Sequence, residues 1–168
     1  RCPELAGGGR NWDYRYCWLR DATFTLLGLM QLGYYEEARA WQDWLVRAIA
    51  GSPEQVQIFY GVGGERWLPE LTVPWLAGYE KSAPVHVGNA AYAQLQLDVL
   101  GEVADALFQA WKGGIGLTDR GRALRPFALE YLARAWREPD EGIWEVRGGR
   151  QHFVHSKVMA WVAFDRAA

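Results

Sequence analysis

Residues 20–32 read RDATFTLLGLMQL, and residues 34–50 read YYEEARAWQDWLVRAIA. The first segment carries apolar side chains at nearly every angle around a helix axis, the pattern of a helix enclosed by protein on all sides. Gly33 ends it. The second gathers Ala38, Trp41, Trp44, Leu45, Ala48 and Ile49 on one face and Glu36, Arg39, Asp43 and Arg47 on the other. Arg39, Asp43 and Arg47 are spaced for i,i+4 pairs. That is a helix with one dry and one wet face, and Gly51 suits its C-terminal cap.

The alternation continues along the chain. Residues 89–111 are predicted to form a long helix with two adjoining apolar stripes, Tyr92, Leu95, Val99, Val103 and Ala106 beside Leu97, Leu100, Ala104, Leu107 and Trp111. Gln94, Asp98, Asp105 and Gln109 share the narrow remainder, and Gln96 falls inside the apolar arc. Residues 119–137 are amphipathic, with Thr118 or Asp119 as the cap and Pro126 marking a kink or restart. Residues 156–166, SKVMAWVAFDR, are again apolar nearly all round. A four-helix bundle would use amphipathic helices throughout. Dry helices alternating with half-wet ones predict two concentric layers, an all-α fold of the α/α toroid type, against the alternative of an irregular all-α domain.

Between the second and third of these helices lies a different stretch. Residues 51–88 are rich in Gly, Pro and short aromatic pieces, and they predict a long ordered excursion with a short strand or hairpin. Trp67, Trp75 and Tyr79 argue against disorder there, and so long a connection between helices usually carries function.

Composition narrows the function classes. The chain has 168 residues, the size of one domain, and a formal net charge of −2. Interspersed charges of both signs argue against nucleic acid and anionic membranes as partners. No apolar run reaches the roughly 20 residues of a membrane span, and the first residues lack the apolar centre of a signal peptide. Cys2 and Cys17 make no disulfide or metal framework, which leads to the expectation of a cytoplasmic setting. The 10 Trp, 8 Tyr and 6 Phe often stand beside Arg, Asp or Glu. Such aromatics fit either a Trp-rich core or a pocket with aromatic walls and charged rims, as sugar sites have.

Two stretches carry candidate chemistry. NWDYRYCWLRDA, residues 11–22, clusters aromatic and ionisable side chains at the N-terminal end of the first dry helix. There Arg20 offers a rigid fork of donors for hydroxyls, and Asp21 can cap the helix or accept bonds from a ligand; a buried Arg–Asp pair is the structural alternative. EPDEGIWEVRGG, residues 138–149, sets Glu145 beside Trp144. An indole that strips water from a carboxyl raises its pKa, and a carboxyl still protonated near neutral pH can act as a general acid. A solvated loop glutamate is the alternative. Gly61, Gly63 and Gly64 make no phosphate cradle, no nucleophile elbow is present, and His86, His152 and His155 lack the further ligands of a zinc site. They read as surface or core histidines, with no metal expected.

Taken together, RNWDYRYCWLRDA, FYGVGGERWLPE, GYEKSAPVHVGNAAYAQLQLDVLGEVADAL and EPDEGIWEVRGGRQHFVHSKVMAWVAFDRA resemble glycoside hydrolase family 15, the glucoamylases, glucodextranases and some trehalases. The resemblance implies an (α/α)6 toroid and inverting, exo-acting hydrolysis of terminal α-glucosidic bonds. It implies that Glu145 is the general acid, that Tyr14, Trp18, Arg20 and Asp21 enclose the terminal glucose, and that Trp144 walls the site beside the acid. Lys157, Asn89 and Tyr60 are placed near the site more weakly, by sitting in recurring motifs. No cofactor is implied, because two carboxyls suffice for the chemistry.

Two departures are His86, where relatives tend to carry Arg, and Pro126 within its helix. The family's general base lies far C-terminal to the acid, so the expectation is that residues 1–168 form part of a catalytic domain, without the base, the β-sandwich domain or the C-terminal part of the toroid. The partners expected are an α-glucoside (starch ends, isomaltosaccharides or trehalose) and either the remainder of the parent enzyme or a second copy meeting an exposed apolar edge. A non-catalytic sugar-binding or regulatory relative is the alternative function.

Overall fold

The computed structural model describes residues 3–49 and 53–168. Five α-helices dominate these residues: α1 (Leu19–Gln31), α2 (Tyr35–Ala48), α3 (Asp98–Lys112), α4 (Asp119–Ala135) and α5 (Val154–Asp165). The all-α architecture is therefore as expected, and its layering follows from burial. α3 lies between α1 and α5 and packs most extensively on α5, while α2 lies against α1 and α4 touches α5. Three helices thus stand side by side as an inner row, with α2 and α4 as outer elements. This is the arrangement of an α/α toroid segment.

Small residues let the inner row pack closely. α5 buries Ser156, Ala160 and Ala163. Opposite them, a Cβ built on Gly101 of α3 would lie 2.1 Å from the carbonyl oxygen of Met159. The two backbones approach too closely for any side chain at that position. Gly101→Ala is accordingly expected to force α3 and α5 apart and to cost about 1–3 kcal/mol, the range for overpacking a tight interior. Urea denaturation of the two chains checks this, and an alanine variant as stable as the parent would contradict the contact.

Two helices expected to be dry all round are not. Val154, Val158 and Trp161 of α5 are exposed, and so are Phe24 of α1 and Leu32 at its C-terminal end. The α5 residues recur at i, i+4 and i+7, so they form one open stripe. α1 and α5 each have a single inner-row neighbour among the described residues, and apolar side chains on their far edges have nothing to cover them.

The third helix begins later than its apolar periodicity predicts. Residues Ala90–Ala93 make a short 3-10 turn, capped by Asn89 Oδ1, which accepts from the Ala91 amide at 3.0 Å. Gln94 is then extended, and α3 starts only at Asp98. The cause is competition for backbone amides. Leu95 N donates to Glu141 Oε2 at 2.8 Å and Leu97 N to Asp140 Oδ2 at 3.0 Å. Leu95 O in turn accepts from the Glu141 amide at 2.9 Å. A helix through 94–97 would lose all three bonds. α4 runs from 119 to 135 straight through Pro126, with Thr118 Oγ1 as its cap. The proposed cap at Gly51 lies outside the described residues.

The described part of the excursion, residues 53–88, contributes strands to two small ladders. β1 (Cys17–Trp18) pairs with β2 (Phe59–Tyr60), and β3 (Leu71–Thr72) pairs with β4 (His86–Val87), both antiparallel. The first ladder matters for the site, because it stacks Phe59 on Trp18 at 4.2 Å between centroids. Around it sits a core of Leu19, Leu45, Ala48, Ile58, Tyr60, Ala91 and Val99. No helix among the described residues is long and apolar enough to cross a membrane.

Candidate active site

The site is assembled at one end of the inner row from three pieces: the β1–α1 junction, the 94–97 segment that precedes α3 and the acid-rich loop 138–149. β1 fixes Trp18, which is buried against Phe59. α1 starts one residue later, so Arg20 and Asp21 occupy its first turn.

The loop is pinned by an antiparallel bridge between Asp140 and Gln151 and by the Asp140 carboxylate on Leu97 N. Gly142 has φ +65°, and a Cβ there would meet the Phe153 ring at 2.5 Å, so both conformation and space require glycine. The chain then turns back, with Glu145 N donating to Gly142 O at 3.1 Å. Glu145 itself has φ +52°, left-handed for a residue with a Cβ. That conformation costs about 1–2 kcal/mol, and non-glycine residues held this way cluster at functional sites. Gln94 Nε2 clamps the turn by donating to Glu145 O at 3.2 Å and Val146 O at 3.3 Å.

The turn drives the Glu145 side chain inward until it is only 22% exposed. Trp18 Nε1 donates to Glu145 Oε1 at 2.7 Å, and Arg20 Nη2 stands 3.9 Å from the same oxygen. Burial pushes the carboxyl pKa up. The Trp18 hydrogen bond and the Arg20 charge oppose that shift, and the Asp21 charge adds to it. Arg20 is tied down on its other side, where Nη1 donates to Asp98 Oδ2 at 2.8 Å and to Gln96 Oε1 at 3.1 Å. Nη2 donates to Ile143 O at 3.3 Å.

Of the residues singled out in the sequence, Trp18 and Arg20 both reach Glu145 directly. The Tyr14 ring lies 5.5 Å from the Trp18 ring, and its phenol is pushed up by burial and by the Glu145 charge. The Asp21 side chain is exposed at the start of α1, yet its charge is felt at Glu145.

Trp144 does not supply the desolvation of Glu145 expected of it. It is 82% exposed, and the indole that contacts the acid is that of Trp18. The left-handed turn at Glu145 separates two side chains that are adjacent in sequence. Lys157 donates to Glu138 O at 2.6 Å and lines an apolar surface depression with Phe153, Val158 and Trp161, apart from the Glu145 cluster. Asn89 caps its 3-10 turn, and Tyr60 is a core residue whose hydroxyl accepts from Gln57 N. His86 stacks on Trp12 at 6.0 Å.

Sequence reasoning missed the residues that hold this arrangement in place. The helical periodicity absorbs Gln94, Gln96 and Asp98 alike, and only Asp98 lies in α3. Gln96 did carry a signal, since a glutamine inside an apolar arc asks for a buried partner. At the rim, Arg147 pairs with both Glu70 oxygens (2.8 and 3.2 Å) and lies over the Trp12 ring at 4.0 Å. That guanidinium holds the Glu70 carboxyl below the usual carboxylate range.

Asp98, Glu102 and His155 bring three potential ligand atoms within 4.8 Å of one another. They do not fit a metal centre well. The Asp98 oxygen 3.8 Å from His155 Nε2 already accepts from Arg20, whose charge sits where a cation would add to it. Burial pushes the Glu102 carboxyl up, with the His155 charge opposing. An apolar cleft of about 620 Å3 lies between α2, α3, α4 and α5, and no member of the Glu145 cluster lines it.

The arrangement offers a carboxyl that keeps its proton above the ordinary range, two donors that favour the anion once that proton leaves, and aromatic rings beside them. These are the parts needed to hold a hydroxylated ring and protonate an oxygen on it.

The family described as Glycosyl hydrolases family 15 matches residues 3–168. The chain is 44% identical to a trehalase of Mycolicibacterium smegmatis, over 99% of this chain and 25% of that protein. It is 43% identical to a trehalase of Mycobacterium tuberculosis, over 99% and 25%. It is 37% identical to trehalase 1 of Sulfolobus acidocaldarius, over 98% and 30%. The chain thus spans between a quarter and a third of these relatives' length. No solved structure matches it.

Proposed function

The chain belongs to glycosyl hydrolase family 15, and on that premise we propose that it supplies the acid half of the active site of an inverting α-glucosidic hydrolase acting on trehalose. The observation that carries this reading is the Glu145 carboxyl, turned inward on a left-handed residue, bonded to Trp18 Nε1 at 2.7 Å and standing 3.9 Å from Arg20. Glu145 gives its proton to the bridging oxygen as the bond from that oxygen to C1 breaks. Trp18 and Arg20 then stabilise the carboxylate left behind. Tyr14 and Trp18 wall the glucosyl ring, Arg20 and Asp21 face its hydroxyls, and the exposed Trp144 stands at the rim. Lys157, held on Glu138 O, stands outside this cluster.

Inversion needs a second carboxylate, about 6.5–9.5 Å from the acid, to activate water on the opposite face of the sugar. In this reading the base comes from sequence outside the 168 residues, which form part of a catalytic toroid. The open edges of α1 and α5 are where the remaining inner helices pack, and in their absence those edges favour self-association. The Cys17 thiol is free, which fits a cytoplasmic setting.

Trehalose supports a direct test. Both of its anomeric carbons are α, so inversion at one of them yields one β-glucose and one α-glucose per turnover. A chimera in which this chain replaces the matching quarter of the M. smegmatis trehalase is expected to release the two anomers in equal initial amounts, followed by proton NMR. A chimera that folds, binds trehalose and releases no glucose would instead support a sugar-binding role without catalysis.

A further inference from the structure

Behind the acid lies a layer of buried charge that the proposed reaction does not use. Asp98, at the start of α3, is fully buried, and its Oδ2 accepts from Arg20 Nη1 at 2.8 Å. Its Oδ1 has no hydrogen-bond partner. A carboxylate so placed is costly unless it faces a cation, and Arg20 is the cation it faces. Arg20 is itself buried and is shared unequally between two carboxyls. It meets Asp98 at 2.8 Å and Glu145 only at 3.9 Å.

We propose that Asp98 is a positioning residue for the acid: by binding Nη1 it holds the Arg20 guanidinium back from Glu145 and offsets its charge. The inference deepens the function proposed above and rests on it for its catalytic meaning. A free arginine beside a buried carboxylate would close to a paired, two-pronged contact and weaken the acid's hold on its proton. Gln96 Oε1 on Nη1 and Ile143 O on Nη2 hold the plane of the guanidinium in the same pose.

Other charges act on the two carboxyls. Asp21 from α1, Arg147 from the loop and the Tyr14 phenol face Glu145. Glu102 from α3 and His155 from α5 face Asp98, with His155 Nε2 3.8 Å from Oδ2 and 3.5 Å from Glu102 Oε1. None of these touches Arg20 Nη1, so the division of Arg20 between its two carboxyls is set by Asp98.

The test is a carbon-13 NMR titration of the Glu145 carboxyl in this chain, which needs no catalytic activity. In Asp98→Asn the amide keeps the shape of the side chain and removes its charge. The Glu145 pKa is expected to fall by about one unit, a tenfold loss of proton affinity. In the double variant R20Q/D98N it is expected to return to the parent value or above, because Asp98 acts through Arg20. The double variant leaves no isolated buried charge, so it remains informative if Asp98→Asn alone does not fold. A pKa unmoved in Asp98→Asn, or lowered in the double variant, overturns the proposal. Confirmed shifts, combined with hydrolysis that does not depend on Glu145, would leave the positioning intact and remove the catalytic reading.

Discussion

Glu145→Gln is expected to lower trehalose hydrolysis by about 10²–10⁴-fold, the usual contribution of a positioned general acid, while leaving the binding of trehalose nearly unchanged. The amide oxygen can still accept from Trp18 Nε1, so the turn and the wall survive; what disappears is the transferable proton. The measurement is steady-state kinetics on the trehalase chimera, with the loss in kcat rather than KM. Unchanged turnover in a folded variant would end the assignment.

The same substitution carries a stability signature with the opposite sign. Burial raises the Glu145 pKa in the folded chain, so the native state holds this proton more tightly than the unfolded one. Such a group contributes stability that is complete below the pKa of an unfolded glutamate, about 4.3. The contribution is lost as pH rises through the folded value. At neutral pH the chain therefore bears the cost of a partly buried carboxylate, and the glutamine variant does not. Thermal melts are expected to show Glu145→Gln equal to or above the parent in Tm near pH 7, with the gap closing toward pH 4. A variant that loses activity and is also less stable at every pH would indicate a structural role for Glu145.

The inner row was legible in the sequence because its signal is local. Leu19, Thr23, Leu26 and Met30 recur at helical spacing, and burial follows that spacing in the structure. The open stripe of Val154, Val158 and Trp161 reads as interior for the same reason: periodicity reports what a side chain would bury, not whether a neighbour is there to bury it. The start of α3 was not legible, because its outcome depends on Asp140 and Glu141, which reach Leu97 and Leu95 from 43 and 46 residues away. Trp144 shows the limit most clearly. Adjacency in sequence suggested the desolvating indole, but the backbone at Glu145 is left-handed, and the contact comes from Trp18, 127 residues away. Residue types at the site could be read from motifs, whereas their contacts required the fold.

Removing Arg20 tests the buried charge layer from the other side. Arg20→Met preserves most of the side-chain volume on α1 and leaves Asp98 fully buried without the guanidinium that pairs with it. Breaking a buried ion pair at one partner costs about 3–5 kcal/mol. Set against a total of about 5–15 kcal/mol for a domain, that is enough to bring the chain close to unfolding. The deficit should shrink when the stranded charge is removed as well. Urea denaturation is therefore expected to show R20M/D98N more stable than Arg20→Met, because the amide at position 98 needs no cation. A double variant no more stable than Arg20→Met would mean that the arginine contributes by packing alone. Its charge would then have no part in holding Asp98, and the link from Asp98 through Arg20 to Glu145 would be broken at its first step.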